Sequence, residues 1–233
     1  MLLPAKLVAA VREAGRALPG AAAAFDADGT LWREDVGEAF LKHLVSIGWV
    51  RLADGSDPYE LYERKVAQDR RAGFAFCAQL HAGLKRAAVE EEARKLAATW
   101  VAPRLIESTQ ALISLCRQSG LVPTVVSASP IEIVHAASPL AGIPIVRCLG
   151  MTVALDASGT CTAEMDGPIT YADGKVDALA EASWLPIALG CGDSIYGDLA
   201  MLRAARVAVG VTPAKGSLLA TECDSRGWQV LTG

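Results

Sequence analysis

Apolar runs of strand length recur along the chain, and each stops abruptly at a polar motif. The first is Ala21 through Phe25, the second Leu121 through Val126 and the third Ile187 through Cys191. None alternates with polar residues, the pattern of strands covered on both faces. They run into Asp26-Ala27-Asp28-Gly29-Thr30, Ser127-Ala128-Ser129 and Gly192-Asp193-Ser194. A fourth run, Val207 through Gly210, leads to Val211-Thr212-Pro213, and a fifth spans Trp228 through Leu231. Between the runs the pattern predicts helices over 4–18, 103–119, 130–138 and 175–183, with Gly120 a natural stop for the second. Strand, helix, strand repetition predicts an α/β fold: a three-layer, doubly wound parallel sheet with helices on both faces. Ligands of such sheets bind at the carboxyl ends of the strands, where the acids, hydroxyls and glycines of this chain gather.

Residues 32–102 break that rhythm. They read as mostly helical, with a loop marked by Asp54-Gly55 and Pro58, and Trp32, Trp49 and Trp100 fall at or inside them. The segment is expected to be a helical insert, leaving residues 1–31 and 103–233 as the core domain. Residues 144–171 predict short strands and a hairpin turning at Asp156-Ala157-Ser158-Gly159.

Composition narrows the classes. A hydrophobic content of 52% over 233 residues supports a real core and excludes disorder. The net charge of -4 argues against nucleic acid as a partner. The six cysteines form no CxxC, and His43, His81 and His135 are dispersed, which argues against zinc. Cysteines in apolar runs predict buried free thiols and a cytoplasmic setting. Lys6, Arg12, Glu13 and Arg16 interrupt the apolar start, so a signal peptide or membrane span is not expected.

The candidate chemistry starts at Asp26 and Asp28. Carboxylates at i and i+2 repel, and a bound cation relieves them; one can serve as nucleophile and the other as general acid/base. Asp193 and Asp198 add two more acids among glycines, and hard oxygen donors favour Mg²⁺. Taken singly, each motif has a plainer explanation: an Asp-Gly turn, an acidic helix start, a serine cap before Pro130, a solvated Lys175. Together and in order, Asp26-Ala27-Asp28-Gly29-Thr30-Leu31, Ser127, Lys175 and Gly192-Asp193 through Asp198 resemble the haloacid dehalogenase superfamily.

That resemblance implies a Rossmann-like core with a helical cap over 32–102, and a phosphatase of the phosphoserine-phosphatase-like branch. It implies that Asp26 attacks phosphorus and that Asp28 moves protons. Ser127 and Lys175 would hold phosphoryl oxygens, with Thr30 and Ala128 as further substrate contacts. Mg²⁺ would be bound by Asp26, the Asp28 carbonyl and Asp193, with Asp198 ligating it or orienting a water. The relatives carry an Asn-Asp pair one residue before the position of Asp198, and no arginine stands at His81-Ala82-Gly83 for a substrate carboxylate. Asp35 and Trp32 are candidates for a cationic head group such as phosphoethanolamine or phosphocholine; their plainer roles are a helix cap and packing within the lid. The expected substrate is a small soluble phosphate monoester, handled by a monomer or homodimer. An idle phosphate-binding or regulatory protein, and a phosphotransferase to an acceptor other than water, are the alternatives.

Overall fold

The computed structural model of the chain describes residues 3–212 and 216–232. Pro213, at the end of the fourth apolar run, lies outside them. In chain order the first elements are α1 (Ala5–Ala17), β1 (Ala22–Phe25), α2 (Val36–Ser46), α3 (Pro58–Gln68), α4 (Arg70–Gln79), α5 (Arg86–Trp100) and α6 (Glu107–Gln118). They are followed by β2 (Val122–Pro130), α7 (Ile131–Ala137), β3 (Cys148–Met151), β4 (Val153–Leu155) and β5 (Cys161–Met165). The last are α8 (Asp173–Glu181), β6 (Ile187–Gly192), α9 (Leu199–Ala204), β7 (Val207–Thr212), α10 (Leu218–Arg226) and β8 (Gln229–Thr232).

The sheet is a central parallel one of six strands, in the order β3-β2-β1-β6-β7-β8. The chain starts at β1, moves outward to β2 and β3, and then returns to the other side of β1. The order therefore reverses between β1 and β6, the switch point at which doubly wound sheets open a crevice. The apolar runs explain this placement. Every residue of β1 and β6 is buried, so both faces must be covered by other elements. The core holds Ala22, Ala23 and Ala24, where short side chains suit close packing.

Two compact units share the chain. The first gathers Met1–Glu34, Arg104–Val126 and Ala172–Gly233; the second gathers Asp35–Pro103 and Ser127–Tyr171. In the first, α1 packs on β6, β7 and α6, while α9 packs on β6 and β7. In the second, the helical stretch after Glu34 builds α2 to α5, and α7 packs on α5 and α2. The antiparallel pair β4–β5 lies in that unit, with Ala78, Met151, Val153 and Cys161 forming a small apolar cluster.

Local chemistry sets the element boundaries. Asp57 caps α3 through Tyr59 N and Pro58 occupies the first turn, where its missing N–H costs nothing. The hairpin turns where expected: Asp156 Oδ1 accepts from Ser158 N and Thr160 N. The expected helix over 103–119 starts later, at Glu107, because Ala102–Arg104 form a 3-10 turn. Strand β2 outlasts its apolar run and continues to Pro130, so Ser127 is a strand residue and caps no helix. Helix α8 begins at Asp173, which puts Lys175 in its first turn. All six cysteines are buried and free.

Candidate active site

The register builds the site. Phe25 pairs with Cys191, so the chain leaves β1 at Asp26 beside the point where it leaves β6 at Gly192-Asp193. Asp26 N donates to Cys191 O at 2.9 Å, which fixes the first carboxylate at that edge. Gly29 then turns with φ +75°, and a Cβ there would stand 2.2 Å from Asp193 Oδ2. Only glycine meets both conditions. Gly192 is under the same pressure from Asp198, whose side-chain atoms would lie 2.6 Å from an added Cβ.

Three carboxylates converge here. One oxygen from each of Asp26, Asp193 and Asp198 lies within 4.8 Å of the others. Lys175 is 2% exposed, and its Nζ donates to Asp26 Oδ1 at 2.5 Å and Asp198 Oδ1 at 2.6 Å. The other oxygen of Asp198 accepts from Asp193 N at 3.1 Å and Ser194 N at 2.9 Å. Asp198 thus organises the loop after β6 and orients the lysine as well. Thr30 Oγ1 donates to Asp26 Oδ2 at 3.3 Å.

The electrostatics follow from three acids sharing one base. Burial, then the charge of Asp198, pushes Asp26 up to about 7 despite Lys175. Burial, then Asp26 and Asp198, pushes Asp193 up to about 8. Burial alone would lower Lys175, but the charges of Asp198 and Asp26 outweigh it and hold the ammonium above its ordinary value. A cluster that retains protons near neutrality for want of positive charge suits a hard divalent cation, and oxygen donors are what Mg²⁺ takes.

Asp28 is not among those three side chains. Its Oδ1 accepts the indole N–H of Trp32 at 2.8 Å. Trp32, expected as a candidate substrate contact, is fully buried and turned onto that carboxylate. Asp35 accepts from Glu38 N at 2.8 Å and caps α2. For Asp35 this is the plainer role that the sequence also allowed; Trp32 packs within the first compact unit rather than in the helical insert. Sequence reasoning missed the Trp32–Asp28 hydrogen bond, although the i, i+4 spacing was its available signal.

Ser127 and Ala128 belong to the second unit. Ser127 is fully buried; its Oγ accepts from Ser129 N at 3.1 Å and its carbonyl from Thr170 Oγ1 at 2.5 Å. Ala128 packs on the cluster of Ala78, Met151, Val153 and Cys161. The second unit also buries a charged group that the sequence did not announce. Glu132, 2% exposed, has His81 Nδ1 at 3.4 Å and Arg86 at 3.3 Å.

A family profile described as haloacid dehalogenase-like hydrolase matches residues 23–203. No curated protein matches the chain by sequence. Solved structures do match in fold. A protein of unknown function from Bordetella pertussis has a TM-score of 0.77 at 17% identity, covering 91% of this chain and 98% of that one. A phosphoserine phosphohydrolase-like protein from Francisella tularensis has a TM-score of 0.60 at 15% identity, covering 91% and 94%. A substrate-bound phosphoserine phosphatase has a TM-score of 0.55 at 14% identity, covering 87% and 90%. Among the described residues no helix is long and apolar enough to cross a membrane.

Proposed function

The chain belongs to the haloacid dehalogenase-like hydrolases, and we propose that within this family it is a phosphomonoesterase acting on a small phosphate ester through an aspartyl-phosphate. The observation that carries this reading is Lys175, buried between Asp26 and Asp198 in a cluster of three carboxylates. A purely structural ion pair has no use for the surplus negative charge, which costs stability.

In this reading an Asp26 carboxylate oxygen attacks phosphorus while the ester P–O bond breaks. Asp28 gives its proton to the departing alkoxide and later takes one from the attacking water, as the Asp26–phosphorus linkage breaks. Lys175 offsets charge on Asp26 and on the phosphoryl oxygens, and Ser127 and Ala128 complete their binding. Asp26, Asp193, Asp198 and the Asp28 main-chain carbonyl would hold Mg²⁺, which when bound supplies the positive charge this acid set lacks and stabilises phosphoryl negative charge. Residues 32–102 serve as the cap of the family fold. Amine-bearing esters such as phosphoserine, phosphoethanolamine and phosphocholine head the candidate substrates. Trp32, fully buried, offers its ring face to no quaternary amine.

The test is phosphate release from a panel of such esters and sugar phosphates, with and without chelator. Wild type should need the metal, and Asp26→Asn should lose roughly 10³-fold or more in kcat/KM. Sustained turnover by Asp26→Asn, or in excess chelator, overturns the mechanism. Phosphate transfer to an added alcohol in preference to water identifies a phosphotransferase instead.

A further inference from the structure

We infer that Thr170 is the positioning residue of the Ser127–Ala128 peptide: its hydroxyl holds the Ser127 carbonyl on one edge of the peptide plane and thereby aims the Ala128 N–H, on the opposite edge, at a phosphoryl oxygen. The inference rests on the phosphomonoesterase reading and deepens its assignment of Ala128 to the phosphoryl group.

The strand sets up the geometry. Pairing of β2 with β1 runs from Ala22–Val122 to Phe25–Val125, and β2 continues past it to Pro130. Val122 N donates to Ala21 O, so every second N–H after it leaves the same edge of β2. Ala128 is one of these, and it lies beyond the last β1 pair. Its side chain is a methyl group packed on the cluster of Ala78, Met151, Val153 and Cys161. Its means of binding an anion is therefore the main-chain N–H.

The Ser127 carbonyl accepts from Thr170 Oγ1 at 2.5 Å. Thr170 is 2% exposed and Ser127 fully buried, so this carbonyl needs a protein donor, and a side chain supplies it. A trans peptide is planar, with C=O and N–H pointing in opposite directions. Rotating the plane would break the bond to Thr170, so the direction of the Ala128 N–H is set. Accepting that bond also polarises the peptide and strengthens its N–H as a donor. The flanking residue is held as well. Ser129 N donates to Ser127 Oγ at 3.1 Å, and a Cβ added at Gly37 would stand 2.5 Å from Ser129 Oγ. A donor fixed in advance stabilises the charge that spreads over the phosphoryl oxygens without having to reorganise.

The test compares kcat/KM, with Mg²⁺ present, for ethyl phosphate and p-nitrophenyl phosphate. Thr170→Val should lose about tenfold on both, the scale of one hydrogen bond to a charged group, because the phosphoryl group is common to them. Thr170→Ser, which keeps the hydroxyl, should recover to within about twofold of wild type. A merely structural threonine would lower the melting temperature and leave kcat/KM below it unchanged. A backbone variant replaces residue 128 by lactic acid, so that an ester oxygen takes the place of the N–H. It should lose at least as much as Thr170→Val; the ester's weaker carbonyl acceptor alone would cost less. Adding Thr170→Val to it should cost no more than about twofold, because the two act as one unit. If Thr170→Val does not fold, Thr170→Cys, a weaker donor of similar shape, takes its place in the cycle with the same expectations. Unchanged kcat/KM, unequal losses on the two esters, no recovery in Thr170→Ser, or a smaller loss in the backbone variant would overturn the inference and leave the phosphomonoesterase reading intact. So would full additivity, the result expected if Thr170 acted through Lys175, five residues further on. Absence of turnover of every ester by the wild type overturns that reading, and the inference with it.

Discussion

In the first unit one ammonium group, Lys175, serves the carboxylates of Asp26 and Asp198, with Asp193 beside them. In the second unit one carboxylate, Glu132, has two basic side chains within 3.4 Å, His81 and Arg86. Asp26 and Glu132 are both buried, yet their pKa values move in opposite directions. Asp26 and Asp193 are driven up by burial and by one another. Burial would also raise Glu132, but pairing with His81 and the charge of Arg86 outweigh it and hold its carboxyl below the ordinary value. Burial therefore does not set the outcome; the balance of charge does. The balanced cluster is consistent with a structural role. The unbalanced one stores a cost that a cation or a substrate group can relieve, the mark of a site rather than a staple.

The largest effect that could break this contrast is expected at Glu132. Glu132→Gln leaves His81 and Arg86 without their carboxylate, and thermal unfolding should show a loss of about 3 kcal/mol, or about 6–12 °C for a chain of this size. The sign with pH is fixed by the lowered pKa. Glu132 contributes stability above its ordinary value of 4.5, and that contribution is lost as pH falls through the folded value. A neutral or stabilising Glu132→Gln would show that the second cluster is no better balanced than the first.

Added Mg²⁺ should have the next largest effect, and it should act on the first cluster. Its raised acids work against folding in the opposite window: stability is fullest below their ordinary value of 3.8 and declines as pH rises through about 7 and about 8. Protons compete with the cation there, so stabilisation by Mg²⁺ should grow through that range, toward about 2.7 kcal/mol at a hundredfold excess over Kd. A stabilisation that is flat with pH would remove the acids from the metal site.

Asp193→Asn is expected to give the smallest effect, and one of unusual sign. In chelator, at a pH above about 8, the variant should be more stable than wild type, by about 1 kcal/mol or 2–4 °C, because one repelling charge has gone. The same variant should lose most of the stabilisation by Mg²⁺. A destabilised metal-free Asp193→Asn would mean that the side chain is held by more than charge.

Five of the six strands of the central sheet followed from pattern alone, while β3 was read only as part of a short-stranded stretch over 144–171. A run such as Ala21 through Phe25, with no polar alternation, is stable only when covered on both faces, and Asp26 ends it because a charge cannot continue that interior. The candidate acids could be named for the same reason: they stand where apolar runs stop. The sequence also placed the hairpin at Asp156, because Asp and Gly carry their turn preference locally. Where it left alternatives open, the missing term was tertiary. The plainer alternative for Ser127, a helix cap before Pro130, fell because pairing carried β2 past its apolar residues.

Local pattern reports burial and turning, since both act within a few residues. It is silent on which charges meet. Lys175 and Asp26 are 149 positions apart, and only the β1–β6 register with the start of α8 brings them together. Whether a buried carboxylate ends up short of positive charge, as Asp26 does, or well supplied, as Glu132 is, depends on those long-range meetings. The composition that named the acids leaves that balance open, because Coulomb energy depends on distance and solvent access, and the fold sets both.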